Sequence, residues 1–147
     1  MRGCEVATLN LRNFATLMLL PMKIGLISDI HANFEALTAV LAALDAAQVD
    51  LILCAGDLLC YGAKPNEVLA LMRQRSIPCV VGNYDAAVAW ALPTASRKPS
   101  SPRNEPLKQA ALDWTKTAVS PAHLAYLRGL PFTSLHEVAG LRLRLLH

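Results

Sequence analysis

Three short stretches carry residues whose types and spacing could do chemistry together. They are Asp29-x-His31 within "IGLISDIHANF", Gly56-Asp57 after "LILCA", and Gly82-Asn83-Tyr84-Asp85 after "PCVV". A fourth candidate, His147, follows "LRLRLL". Each comes directly after an apolar run. Carboxylate, imidazole and amide oxygen form the donor set for hard-to-borderline divalent metals such as Mn, Fe, Ni or Zn. A carboxylate has two oxygens, so one aspartate can bridge two ions about 3.5–4 Å apart. Two such ions can generate a hydroxide at neutral pH and clamp a phosphoryl group for in-line attack. Taken singly the residues say less. Asp29 and Asp57 suit a helix cap or a turn, Asn83 after glycine suits a turn, and His147 is a terminal residue. The joint pattern, repeated after one apolar run after another, is what argues for a metal site.

The elements must then bring distant residues to one place. "KIGLISD" (23–29), "DLILCAGD" (50–57) and "IPCVVGNYD" (77–85) read as three buried strands of parallel type. Between the first two, Asn33 is placed to cap a helix in which Phe34, Leu37, Leu41 and Leu44 share a face. Between the second and third, Pro65 and Asn66 mark the start of a helix over 64–76. The βαβαβ order predicts an α/β fold with a parallel sheet and right-handed crossovers. Ligands of such sheets sit at the carboxyl ends of the strands. Asp29, Asp57, Asn83 and His147 can therefore converge there, and His31 joins them because residues i and i+2 of an extended segment point the same way. Gly56 and Gly82 allow tight turns and leave room for metal and substrate.

Beyond residue 91 the organisation changes. "LPTASRKPSSPRNEP" (92–106) lacks an apolar period and predicts a long exposed loop. Arg97, Lys98, Arg103 and the following Lys108 read as a solvated basic segment that could also steer an anionic substrate. Two helices over 107–119 and 120–130 and a hairpin of 132–138 with 141–147 complete the chain. Trp90 and Trp114 read as packing residues, His123 as a surface helix residue and His136 as a hairpin residue.

The blocks "SDIHANFEAL", "CAGDLLCYGAKPNEV", "VVGNYDAAV" and "LLH" resemble the first four motifs of calcineurin-like metallophosphoesterases, in particular their small bacterial phosphodiesterase-type branch. The resemblance covers residues 23–147. It implies a calcineurin-like β-sandwich flanked by helices, with two divalent ions, manganese foremost, at the strand ends. Asp29 and His31 would hold one ion, Asp57 would bridge, and Asn83 and His147 would hold the second. The implied reaction is hydrolysis of phosphate esters through a metal-activated hydroxide. Two departures stand out. Tyr84 replaces the histidine of the third motif, which in the family contacts the phosphate and helps protonate the leaving group. A phenol is a poorer proton donor at neutral pH, so the replacement implies weak monoesterase activity and a preference for diesters with good leaving groups. Asp85, the other catalytic-motif residue, normally orients that histidine; here it would cap a helix or hold Tyr84. The family's later Gly-His-x-His block is absent, so the second sheet is incomplete and resembles a C-terminally truncated domain. Exposed sheet edges would invite an oligomer or a protein partner. Alternatives to an active phosphodiesterase are a non-catalytic scaffold and an inactive truncated gene product.

Composition sets the outer bounds. At 147 residues, 54% hydrophobic and 17% charged, the chain suits one well-buried domain. A formal charge of +3 permits an anionic ligand but gives nucleic acid no specific support. Cys4, Cys54, Cys60 and Cys79 form no C-x-x-C pair and read as buried thiols of a cytoplasmic protein. The apolar stretch 13–22 is too short for a membrane span. Residues 1–21 read as an extension ahead of a domain beginning at Met22.

Overall fold

β1 (Ile24–Ile27) and β2 (Leu51–Cys54) pair in parallel, from Ile24 opposite Leu51 to Ile27 opposite Cys54. The computed structural model describes residues 22–95 and 102–147. The expected extension 1–21 and the basic residues Arg97 and Lys98 lie outside the described residues. α1 (Phe34–Ala46) connects the two strands and starts as its sequence requires: the Asn33 side chain accepts the Ala36 N–H at 3.0 Å. Leu37 and Leu41 on the expected face are buried, and Phe34 and Leu44 pack against the same core.

α2 (Pro65–Gln74) carries proline in its first turn, where no N–H is needed. It buries Val68, Leu69 and Met72 completely. The expected third strand over 77–85 is reduced to one parallel bridge between Cys54 and Cys79. Cys54 N–H donates to Pro78 O at 2.9 Å and Val80 N–H to Cys54 O at 3.1 Å, so the parallel alignment survives. The strand stops early for two reasons. Pro78 has no N–H to donate, and Asn83 already begins α3 (Asn83–Ala89).

The expected loop 92–106 ends sooner than its composition suggests, because α4 (Glu105–Ala118) starts ahead of Pro106, again with proline in the first turn. α5 (Pro121–Gly129) follows, capped by the Ser120 hydroxyl. Asn66 ties α2 to this corner: its amide donates to Ala118 O at 2.8 Å and accepts Ser120 N–H at 3.0 Å. One core unites these helices around Leu58, Leu59, Leu69, Met72, Leu112 and Leu127.

β3 (Thr133–Val138) and β4 (Leu141–Leu146) form a separate antiparallel hairpin, with Thr133 opposite Leu146. It docks on the parallel pair through Leu145, which packs on Leu53 and Val80. The two sheets leave Leu26, Leu135 and Leu141 more than half exposed. Among the described residues, no helix is long and apolar enough to cross a membrane.

Candidate metal centre

The loops that leave the carboxyl ends of β1 and β2 run side by side. Asp29 N–H donates to Gly56 O at 3.0 Å, His31 N–H to Asp57 O at 3.0 Å and Ala32 N–H to Leu58 O at 2.7 Å. To make these bonds the backbone turns left-handed at Asp29, His31, Ala32 and Asp57, with φ between 50° and 56°. That conformation disfavours side-chain-bearing residues.

His31 sits between the two aspartates. Its Nδ1 lies 3.0 Å from Leu59 O. A carbonyl can only accept, so Nδ1 carries a proton, and in the neutral imidazole Nε2 presents the lone pair. Nε2 is 3.7 Å from Asp29 Oδ1 and 4.0 Å from Asp57 Oδ2. Ligand atoms of Asp29, His31 and Asp57 all lie within 4.8 Å of one another, a grouping that could hold a metal ion.

His147 repeats the arrangement on the other side of Asp57. Nδ1 lies 2.8 Å from Ala55 O, and Nε2 faces Asn83 Oδ1 at 2.9 Å and Asp57 Oδ2 at 3.4 Å. The amide orientation of Asn83 is fixed because its Nδ2 donates to Ala95 O at 3.1 Å. With both imidazoles neutral, acceptors meet acceptors around Asp57 Oδ2. Lone pairs so opposed are stabilised by a cation, and imidazoles that donate Nδ1–H to a carbonyl while offering Nε2 are the usual form of a histidine ligand. The donor set fits divalent metal.

Asp57 is buried, and its other oxygen, Oδ1, accepts Tyr84 N–H at 2.9 Å. Burial raises its pKa, while the Tyr84 N–H and the nearby imidazoles oppose the rise. Gly82 makes the carboxylate's seat. A Cβ there would lie 2.1 Å from Asp57 Oδ1 and 2.2 Å from Asp57 N. The room that glycine provides is filled by Asp57 itself. Gly56, at φ +91°, faces Gly82 so closely that a Cβ would meet Gly82 N at 2.6 Å.

Asp85 has no exposed surface. Its Oδ1 accepts Leu58 and Leu59 N–H at 2.9 and 3.1 Å, and its Oδ2 accepts Gly82 N–H at 3.1 Å. It caps α3 and at the same time ties the loop after Asp57 to the turn before Asn83. Burial pushes its carboxyl up to about 6 against the pull of those N–H groups.

The Calcineurin-like phosphoesterase superfamily domain model matches residues 22–147. The chain belongs to that superfamily. An uncharacterized protein of Methanocaldococcus jannaschii is 36% identical over 117 residues, spanning 80% of this chain and 45% of its own. The crystal structure of a metallophosphoesterase from Sphaerobacter thermophilus is 36% identical, with a TM-score of 0.59 over 80% of this chain and 44% of that one. A hypothetical protein from Pyrococcus horikoshii shares the fold at 19% identity, with a TM-score of 0.69 over 84% and 54% of the two chains. The chain thus spans about half the length of the relatives it matches.

In this phosphoesterase domain the cluster opens into a cavity of about 960 Å³ bordered by Asp29, His31, Asp57, Asn83, Tyr84 and His147. Sequence reasoning missed Tyr61, which borders the same cavity. Its hydroxyl bonds that of Tyr84, and its ring meets His31 edge-on at 4.8 Å between centroids. Tyr84 meets the same imidazole edge-on at 5.6 Å. Burial first, and then the bond to Tyr61, raises the pKa of the Tyr84 phenol, so it stays protonated. The signal for Tyr61 lay in the second motif, four residues after Asp57, but only the fold brings it to Tyr84. Trp90, expected as a packing residue, is half-exposed and borders the cavity, as does Lys108. His123 is not a free surface residue: its Nδ1 lies 2.9 Å from Asn66 Oδ1, joining α5 to α2. His136 stays on the hairpin beside Ser134, away from the cavity.

Proposed function

We propose that the chain is a metal-dependent phosphodiesterase acting with two divalent ions, manganese in preference to iron, nickel or zinc. The observation that carries this reading is Asp57 Oδ2, which lies between His31 Nε2 at 4.0 Å and His147 Nε2 at 3.4 Å. Both imidazoles have their other nitrogen on a backbone carbonyl. Asp29 and His31 would hold one ion, Asn83 and His147 the other, and Asp57 both. The ions would supply an activated water and neutralise charge on the phosphoryl oxygens.

The remaining steps belong to the protein. Tyr84, held by Tyr61 and kept protonated, offers an O–H to a phosphoryl or leaving-group oxygen. A phenol gives up its proton reluctantly at neutral pH. The site therefore suits diesters whose leaving group needs little protonation. Asp85 is a positioning residue: it fixes the loops that carry Asp57 and Asn83. Lys108 adds positive charge at the cavity for an anionic substrate. Three buried free thiols, Cys54, Cys60 and Cys79, agree with a reducing, cytoplasmic setting.

The test is hydrolysis of bis(p-nitrophenyl) phosphate by the purified protein. Mn²⁺ should stimulate turnover, and Asp57→Ala or Asn83→Ala should abolish it. No turnover with any divalent ion overturns the enzymatic reading. A second reading, a scaffold that binds a protein partner or another copy, is favoured by the exposed leucines of the two sheets. Calorimetric binding of Mn²⁺ without turnover would support it.

A further inference from the structure

Past the carboxylates and imidazoles, the cavity continues to an aromatic wall. Trp90, which closes the C-terminal end of α3, and Phe132, just before β3, both border it. Their rings stack with centroids 5.5 Å apart and planes 18° from parallel, yet they stay 41% and 64% exposed. This surface is distinct from the exposed leucines of the sheets, because Leu26, Leu135 and Leu141 do not border the cavity. The wall is also held in place. Trp90 N–H donates to Ala86 O at 3.0 Å, and Arg128 Nε donates to Ala89 O at 2.7 Å. A cavity of about 960 Å³ is at the upper end of small-molecule sites and exceeds what a bare phosphate needs.

We propose that Trp90 and Phe132 form a stacking site for a planar heteroaromatic ring carried by the phosphate ester, so that the substrates are nucleoside phosphate esters. The inference rests on the phosphoesterase reading above. The phosphoryl group would lie on the Asp57 cluster and the base on the open ring surface, with Lys108 facing further negative charge. Stacking on an aromatic face tolerates any base, so the wall selects for the presence of a ring and not for one base identity.

The chain has two tryptophans, so Trp114→Phe leaves Trp90 as the sole emitter. In this variant with Mn²⁺, adenosine 5′-monophosphate should quench the tryptophan fluorescence and ribose 5-phosphate should not. By calorimetry the nucleotide should bind about tenfold or more tighter than ribose 5-phosphate, within the range that base–aromatic stacking supplies. Phe132→Ala and, in the otherwise unaltered chain, Trp90→Ala should narrow that ratio, whereas Trp90→Phe should keep most of it. Equal affinities with no quenching overturn the aromatic site and leave the phosphoesterase reading standing. If neither compound binds while bis(p-nitrophenyl) phosphate is hydrolysed, the aromatic site alone falls; if neither binds and the diester is not turned over, both fall.

Discussion

Asp85 gives the sharpest test of how the site is held. Three buried N–H groups, of Leu58, Leu59 and Gly82, end on its two oxygens at 2.9–3.1 Å. Asp85→Ala strands all three. Each buried unsatisfied donor costs about 1–3 kcal/mol, and the variant is relieved of burying a carboxylate, which offsets part of the loss. The net expectation is about 3–5 kcal/mol, a large fraction of the stability of a typical domain. Asp85→Asn separates hydrogen bonding from shape. Its amide oxygen can still accept from Leu58 and Leu59, but its NH₂ then faces the Gly82 N–H, donor against donor. One bond is lost, for about 1–2 kcal/mol. Urea denaturation followed by circular dichroism, extrapolated linearly to water, reads both values. If Asp85→Ala costs under about 1 kcal/mol, or the two variants cost the same, the three bonds do not hold these loops.

Two further outcomes follow from the geometry. Gly82→Ala places a Cβ 2.1 Å from Asp57 Oδ1, so Asp57 must move. Mn²⁺ affinity measured by calorimetry should fall about tenfold or more, whereas Gly129→Ala, with nothing within 4 Å of the new Cβ, should leave it unchanged. The His123 imidazole is held below its ordinary pKa of 6.5, by burial first and by Arg73 second. The unfolded chain therefore takes up that proton before the folded one does. This contribution to stability is complete above 6.5 and is lost as pH falls below it. His123→Gln should flatten that part of the urea-midpoint profile; an unchanged slope would refute the assignment.

Most of the constellation was legible in the sequence because its members close apolar runs that must be buried. His31 was placed by an extended i, i+2 rule, whereas the backbone is left-handed at Asp29 and His31. Asp29, Asp57 and Asn83 needed no tertiary information beyond the rule that such runs end at one edge. Other features depended on what lies across from what. Nothing local in "GNYD" says that Asp85 reaches back to Leu58, or that Tyr84 meets Tyr61 over the His31 ring. Trp90 follows a helical apolar run and reads as core; only the placement of α3 beside Phe132 turns it toward the cavity. The third strand was overread because "CVV" has strand composition, while Pro78 and the helix starting at Asn83 limit its pairing.

The left-handed residues of the two loops bear on the order in which the molecule assembles. Asp29, His31, Ala32 and Asp57, together with Cys60 and Tyr61 at φ 72° and 68°, all oppose their own local preference. An isolated chain has no reason to adopt the turns at Asp29, His31 and Ala32 until the carbonyls of Gly56, Asp57 and Leu58 are already in line to receive their N–H groups. The expected order is that the helices and the parallel pair come together first and the loops are set last. A glycine at Ala32 should accordingly slow unfolding while leaving the refolding rate nearly untouched, the kinetic signature of a segment that is still loose at the barrier.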